Sequence, residues 1–162
     1  MILQDVSQRQ TVIVAAGGSL ALLAGAFLFQ ALGYAPCQMC LWQRWPHAVA
    51  IVLGLVAVAG IAPRLTAYLG AAAAFATASI GAFHSGVEQG WWEGPTACSG
   101  GGNDLGTLSG ADLVSTAIQD TIIMCNEIAW SFMGLSMATW NMVLSLVFVA
   151  IWLRAARMVS QG

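Results

Sequence analysis

The sequence predicts an all-α membrane protein, a four-transmembrane-helix bundle with a long periplasmic loop carrying a short amphipathic helix. Three observations carry that expectation. Of 162 residues, 59% are hydrophobic and only 7% are charged, against about 25% charged in a typical soluble domain. The mean hydropathy is +0.78. The apolar residues gather into runs long enough to cross a bilayer, and the few charges fall between those runs. A chain of this length suits a single domain over residues 1–162, and no period along it indicates a repeat. Lysine is absent and the net charge is −2, so no basic surface for nucleic acid can be assembled and no nucleic-acid partner is expected.

The first span is expected over about 11–32, where no charge occurs between Arg9 and Arg44. At 1.5 Å per residue that run reaches roughly 33 Å, enough for the hydrocarbon core. It exceeds the apolar core of a signal peptide, and Pro36 spoils any cleavage point beside it. We therefore read it as a membrane helix. The second span is expected over about 45–62. The third, over about 65–84, is rich in alanine and carries Gly70 and Gly81, small residues that allow close helix contact in lipid. The fourth is expected over about 134–153, leaving outer loops at about 33–44 and 85–133.

Charge orients the bundle. With four spans, Arg9, Arg64, Arg154 and Arg157 share one side, which the positive-inside rule makes cytoplasmic. Both termini then face the cytoplasm. The other side receives Glu88, Glu93, Asp104, Asp112, Asp120, Glu127 and one cation, Arg44. All four cysteines, Cys37, Cys40, Cys98 and Cys125, come to that outer side, and in the inner membrane of a bacterium it is the oxidising periplasm.

The chemistry concentrates in Pro36-Cys37-Gln38-Met39-Cys40-Leu41-Trp42-Gln43-Arg44, a C-x-x-C with an arginine four residues on. If this stretch opens a helix, Cys40 and Arg44 share a face, and the helix dipole and the guanidinium both favour a thiolate, the nucleophile of disulfide exchange. Pro46 leaves a second geometry open, in which a loop holds the cysteines and the helix starts near Trp45. Arg44 breaks the charge asymmetry, which fits a bound anion or polarised ligand better than a snorkelling anchor. A structural disulfide is the plain alternative for the C-x-x-C. A zinc site is disfavoured, because the second cysteine pair lacks knuckle spacing; no metal is expected.

In the long outer loop, Trp91 and Trp92 suit an aromatic belt, while Pro95 and Gly100-Gly101-Gly102 leave Cys98 accessible for exchange. Apolar positions between Asp112 and Ile123 recur at helical spacing, as in a short amphipathic helix on the membrane surface or a loop helix packed on the outer helix ends. A Cys98–Cys125 bridge would close a loop of about 28 residues, worth about 3–4 kcal/mol as a staple. His84, at the outer end of the third span, is read as an interfacial hydrogen-bonding residue able to donate to a quinone carbonyl.

Taken together, Pro36-Cys37-x-x-Cys40-x-x-x-Arg44, Pro95-x-x-Cys98 and Gly134-Leu135-x-Met137 resemble the DsbB family of membrane thiol oxidoreductases, and the likeness covers essentially the whole chain. The Ser99-Gly100-Gly101-Gly102 stretch departs from a tightly specified docking peptide. The resemblance implies a quinone-dependent protein-disulfide oxidoreductase with redox disulfides Cys37–Cys40 and Cys98–Cys125. It would reoxidise a DsbA-like periplasmic protein of thioredoxin fold and pass electrons to the membrane pool of ubiquinone or menaquinone. By the same resemblance, Cys98 forms the mixed disulfide, Cys125 then pairs with Cys37, and Cys40 is freed as the thiolate that meets the quinone. Arg44 and His84 would line the quinone site. Two other readings compete: a four-span structural or assembly protein with inert disulfides, and a vitamin K epoxide reductase-like quinone reductase. In the latter family the quinone-proximal C-x-x-C lies late in the bundle, whereas here it follows the first span.

Overall fold

A computed structural model of the chain describes residues 2–95 and 124–159. Four helices, α1 (Ile2–Ala31), α2 (Gln38–Val58), α3 (Pro63–Glu88) and α4 (Met137–Val159), pack into a closed ring. In that ring α1 and α3 each touch both α2 and α4. All four are long and apolar enough to cross a membrane. Cys98, its glycine-rich surroundings and the helix expected between Asp112 and Ile123 lie outside the described residues.

Local chemistry sets each boundary. Gly33, at φ +99°, turns the chain out of α1, and Cys37 then N-caps α2 by accepting from the Cys40 amide at 3.3 Å. Helix α2 thus begins at Gln38, so the geometry with the cysteine pair in the first helical turn is the one adopted. Pro46 stays inside α2. Nearby, Thr77 Oγ1 on α3 donates to the Gln43 carbonyl at 3.3 Å and ties the two helices together. The turn to α3 places Ala62 in the left-handed region with Pro63 as the first helical residue.

Two boundaries differ from expectation with consequences for the site. Helix α3 continues to Glu88, a turn past His84, which puts the two residues on one face at i and i+4. Before α4 stands a hairpin, β1 (Ser131–Phe132) paired with β2 (Leu135–Ser136), instead of helix from residue 134. Its two-residue turn has Met133 at φ 52° and Gly134 at φ 77°, both signs fitting a tight hairpin. Ser136 then caps α4 by accepting from the Thr139 amide at 3.2 Å.

Small residues bring the helices together as the sequence anticipates. Trp152 on α4 is fully buried against Gly70 of α3, where an added Cβ would come within 2.7 Å of the indole. At Gly81 a Cβ would meet the Ala138 carbonyl at 3.1 Å. At the end opposite the cysteines, Arg9 donates from Nε and Nη2 to the Val58 carbonyl at 3.2 and 2.7 Å, closing the C-terminus of α2 from α1. Trp92 packs on α3 with its ring stacked on Phe83 and its indole nitrogen donating to the Phe83 carbonyl at 2.8 Å.

Candidate functional site

The outer ends of α2 and α3, together with the segment before the hairpin, bring three cysteines and a histidine together. Cys37 Sγ and Cys40 Sγ stand unbonded at 3.0 Å. Cys37 Sγ, Cys125 Sγ and a ring nitrogen of His84 all lie within 4.8 Å of one another, and all three residues are buried. Cys37 is therefore the central sulfur, reachable from Cys40 on one side and from Cys125 on the other. His84 Nε2 lies 3.5 Å from Cys37 Sγ and 3.8 Å from a Glu88 carboxylate oxygen. The other Glu88 oxygen accepts from the Ser136 hydroxyl.

Cys37 lies outside the helical span, and its thiol is lowered from the ordinary range to about 4. The hydrogen bond from the Cys40 thiol is the largest cause; burial opposes it, and the hydrogen bond from His84 adds to it. The first-turn amide of Cys40 supplies a further donor. A thiolate at this position is thus held by three donors.

Below His84 a chain of amides runs into the bundle. Gln43 Nε2 donates to His84 Nδ1 at 3.0 Å, which leaves the His84 proton on Nε2, facing Cys37. Gln43 Oε1 accepts from Asn141 Nδ2 at 2.6 Å, and Asn141 Oδ1 faces His47 Nε2 at 2.8 Å. Because an amide oxygen can only accept, His47 Nε2 must donate. Thr77 Oγ1 lies 3.1 Å from Asn141 Nδ2 and 3.2 Å from His47 Nε2, tying α3 to the same network. Every member points its donors the same way, from His47 toward the Cys37 sulfur.

Beside this chain a cavity of about 280 Å³ opens between α1, α2 and α4. Its polar wall holds Cys37, Cys40, Arg44, His47 and His84, and its apolar wall includes Phe29 and Trp130, whose rings meet edge-on at 5.1 Å between centroids. Arg44 donates from Nη1 to Gln30 Oε1 at 2.7 Å and sits 4.7 Å over the Phe27 ring. Its contacts among the described residues are thus with α1, not with the cysteine sulfurs. Two buried polar atoms of the cavity wall have no partner among the described residues: Arg44 Nε and His47 Nδ1.

Residues 8–155 match the family profile described as "Disulfide bond formation protein DsbB". The chain belongs to the DsbB family. Among its relatives are proteins named "Disulfide bond formation protein B" from Polaromonas naphthalenivorans, 30% identical with 98% of this chain and 95% of the relative covered, and from Albidiferax ferrireducens, 29% identical with 96% and 94% covered. One from Polaromonas sp. is 31% identical, with 91% and 88% covered. No solved structure matches. Family and helices together make this DsbB-family chain a multi-pass membrane protein.

Of the residues the sequence singles out, the fold gathers Cys37, Cys40, Cys125 and His84, with Arg44 on the same cavity; Cys98 lies outside the described residues. Sequence reasoning overlooks Gln43, His47, Thr77, Asn141 and Glu88. A signal existed for several of them. Polar side chains inside otherwise apolar spans face the bundle interior and mark functional paths, and His47, Thr77 and Asn141 sit within three such spans.

Proposed function

We propose that this chain is a quinone-dependent membrane thiol oxidase of the bacterial inner membrane, with both termini cytoplasmic and its cysteines facing the periplasm. It would reoxidise a DsbA-like protein of thioredoxin fold, in keeping with the DsbA–DsbB–quinone chain that keeps the periplasm oxidising. The observation that carries the reading is Cys37 Sγ set between Cys40 and Cys125 at the edge of a cavity with unpaired polar atoms.

The exchange steps take the cysteine roles that the family resemblance implies, and the place of Cys37 between Cys40 and Cys125 supports them. A partner thiolate attacks the Cys98–Cys125 disulfide at Cys98, forming the mixed disulfide and releasing Cys125 as a thiolate. Cys125 then attacks the Cys37 sulfur of the Cys37–Cys40 disulfide, and the new Cys37–Cys125 bond releases Cys40 as a thiolate at the cavity wall. The partner's second thiolate attacks its own sulfur in the mixed disulfide and leaves oxidised, freeing Cys98. Each step exchanges one S–S bond for another, so the electron pair passes inward along the sulfurs.

The cavity fits a quinone headgroup. It is flanked by aromatic rings, its wall is largely apolar, and two residues that line it, Arg44 and His47, carry buried polar atoms, Nε and Nδ1, that need a partner. Arg44 would hold a ring oxygen beside Cys40, while His84, with its Nε2 proton on Cys37 and its Nδ1 accepting from Gln43, would border the ring without donating to it. A bound quinone supplies an acceptor for two electrons and two protons. The chain's own part is to hold Cys40 at that wall, keep the His84 proton aimed at Cys37, and exclude water behind the apolar rings.

The test uses full-length protein in detergent with a reduced DsbA-like protein and decylubiquinone, following quinone absorbance with Cys40→Ser as control. Quinone loss that requires both the partner and Cys40 is expected. Absence of loss, with the cysteines remaining oxidised, refutes the assignment.

A further inference from the structure

His47 lies one turn deeper in α2 than Gln43, is 3% exposed, and borders the cavity. Its Nε2 donates to Asn141 Oδ1 at 2.8 Å, with Thr77 Oγ1 at 3.2 Å. The direction of that bond is fixed from outside. Asn141 must present its oxygen to His47, because its nitrogen is committed to Gln43 Oε1 at 2.6 Å and to Thr77 Oγ1 at 3.1 Å. Gln43 in turn must present its oxygen to Asn141, because its nitrogen donates to His84 Nδ1 at 3.0 Å and to the Met39 carbonyl at 3.3 Å. With the proton of the neutral imidazole held on Nε2, Nδ1 carries a lone pair, and that buried atom has no partner among the described residues. The second unpaired atom of the wall, Arg44 Nε, is a donor.

Two residues that line the cavity thus carry one unpaired donor and one unpaired acceptor. We propose that His47 is a further binding residue, whose Nδ1 accepts the hydroxyl of the reduced ring, so that the site binds a hydroquinone in preference to the quinone. The proposal rests on the quinone reading of the cavity. A hydroquinone satisfies both atoms, because its hydroxyl oxygens accept from Arg44 and its hydroxyl hydrogen is donated to His47. A quinone has only acceptors, so it satisfies Arg44 and leaves a lone pair facing a lone pair at His47. A satisfied hydrogen bond against an unsatisfied buried acceptor is worth about tenfold in affinity. Within the relay this preference would favour acceptance of electrons from Cys40, since the reduced ligand is the one the wall completes.

The experiment measures binding rather than turnover. Decylubiquinone and its hydroquinone are titrated calorimetrically, without oxygen, into the full-length disulfide-bonded protein and into His47→Phe, which keeps an aromatic ring and lacks the acceptor. Wild type is expected to bind the hydroquinone about tenfold more tightly, and His47→Phe to bring the two forms within threefold. Equal affinities in wild type, or the same preference in His47→Phe, overturn the assignment of His47 while leaving the cavity's quinone reading intact. If neither form binds wild type, that reading fails and this one with it. Should His47→Phe not fold, wild type alone decides. The dimethyl ether of the hydroquinone, lacking the hydroxyl hydrogens, must then lose the preference, and its retention overturns the proposal.

Discussion

Cys37 in the reduced protein should lose its proton near pH 4, and Cys40 should be the reason. The thiol is lowered to about 4, first by the hydrogen bond from Cys40 and next by that from His84, against the opposing effect of burial. An unfolded thiol ionises near 9.0. A depressed acid stabilises the folded dithiol fully above the unfolded value, and that contribution is lost as pH falls toward the folded one. At pH 7, above the lowered value and below the unfolded one, most of that contribution is present; it favours the reduced pair and so makes the Cys37–Cys40 disulfide more oxidising. The assay is the ultraviolet absorbance of thiolate against pH in protein with Cys98 and Cys125 replaced by alanine, which isolates the pair. A midpoint near 4 is expected, with Cys40→Ala moving it up toward the ordinary thiol range. A midpoint above 7 in the protein that retains Cys40 would refute the reasoning, since no thiolate would then be held at neutral pH.

Other positions give independent checks. Gly70→Val should lower thermal stability by about 1–3 kcal/mol or more, because its side chain meets the buried Trp152 ring; an unchanged melting temperature would show that the α3–α4 contact is loose. Ser136→Ala removes the cap of α4 and a donor to Glu88, costing about 1 kcal/mol, measurable as a lower melting temperature. Arg44→Ala should raise the apparent KM for quinone several-fold with little change in kcat, and an unaltered KM would leave Arg44 a packing residue on α1.

The bundle was legible because lipid leaves the chain few options. Uncharged runs of membrane length, bounded by arginines, can only be helices, and glycines within the third run can only serve close contact. Helix ends were harder to see. Cys37 as the cap of α2 and Ser136 as the cap of α4 depend on a single side chain turning onto an amide, which hydropathy does not register. The site was half legible. Cysteine spacing and Arg44 announced it, yet the direction in which Arg44 points is a matter of packing: Gln30 and Phe27 on α1 draw its guanidinium away from the sulfurs. Gln43 escaped notice because it lies beside the louder Arg44, although it is the residue that orients His84.

Orientation of the buried polar chain explains why so many uncharged polar groups are kept inside an apolar bundle. In a hydrocarbon surround an amide left without partners costs several kcal/mol, so Gln43 and Asn141 are not free to flip. Reversing Asn141 would set its nitrogen against the His47 proton and its oxygen against Gln43 Oε1. Reversing Gln43 as well would put its oxygen against the Met39 carbonyl. The Met39 carbonyl, a backbone group that can only accept, therefore fixes Gln43, Gln43 fixes the two histidine tautomers, and His84 is left with its proton toward Cys37. Helix α2 and its cap thus hold both the thiol and, two residues later, the backbone oxygen that decides how the thiol is served. The amide chain itself keeps its donors in place without a formal charge, and its polarity is set by the helix.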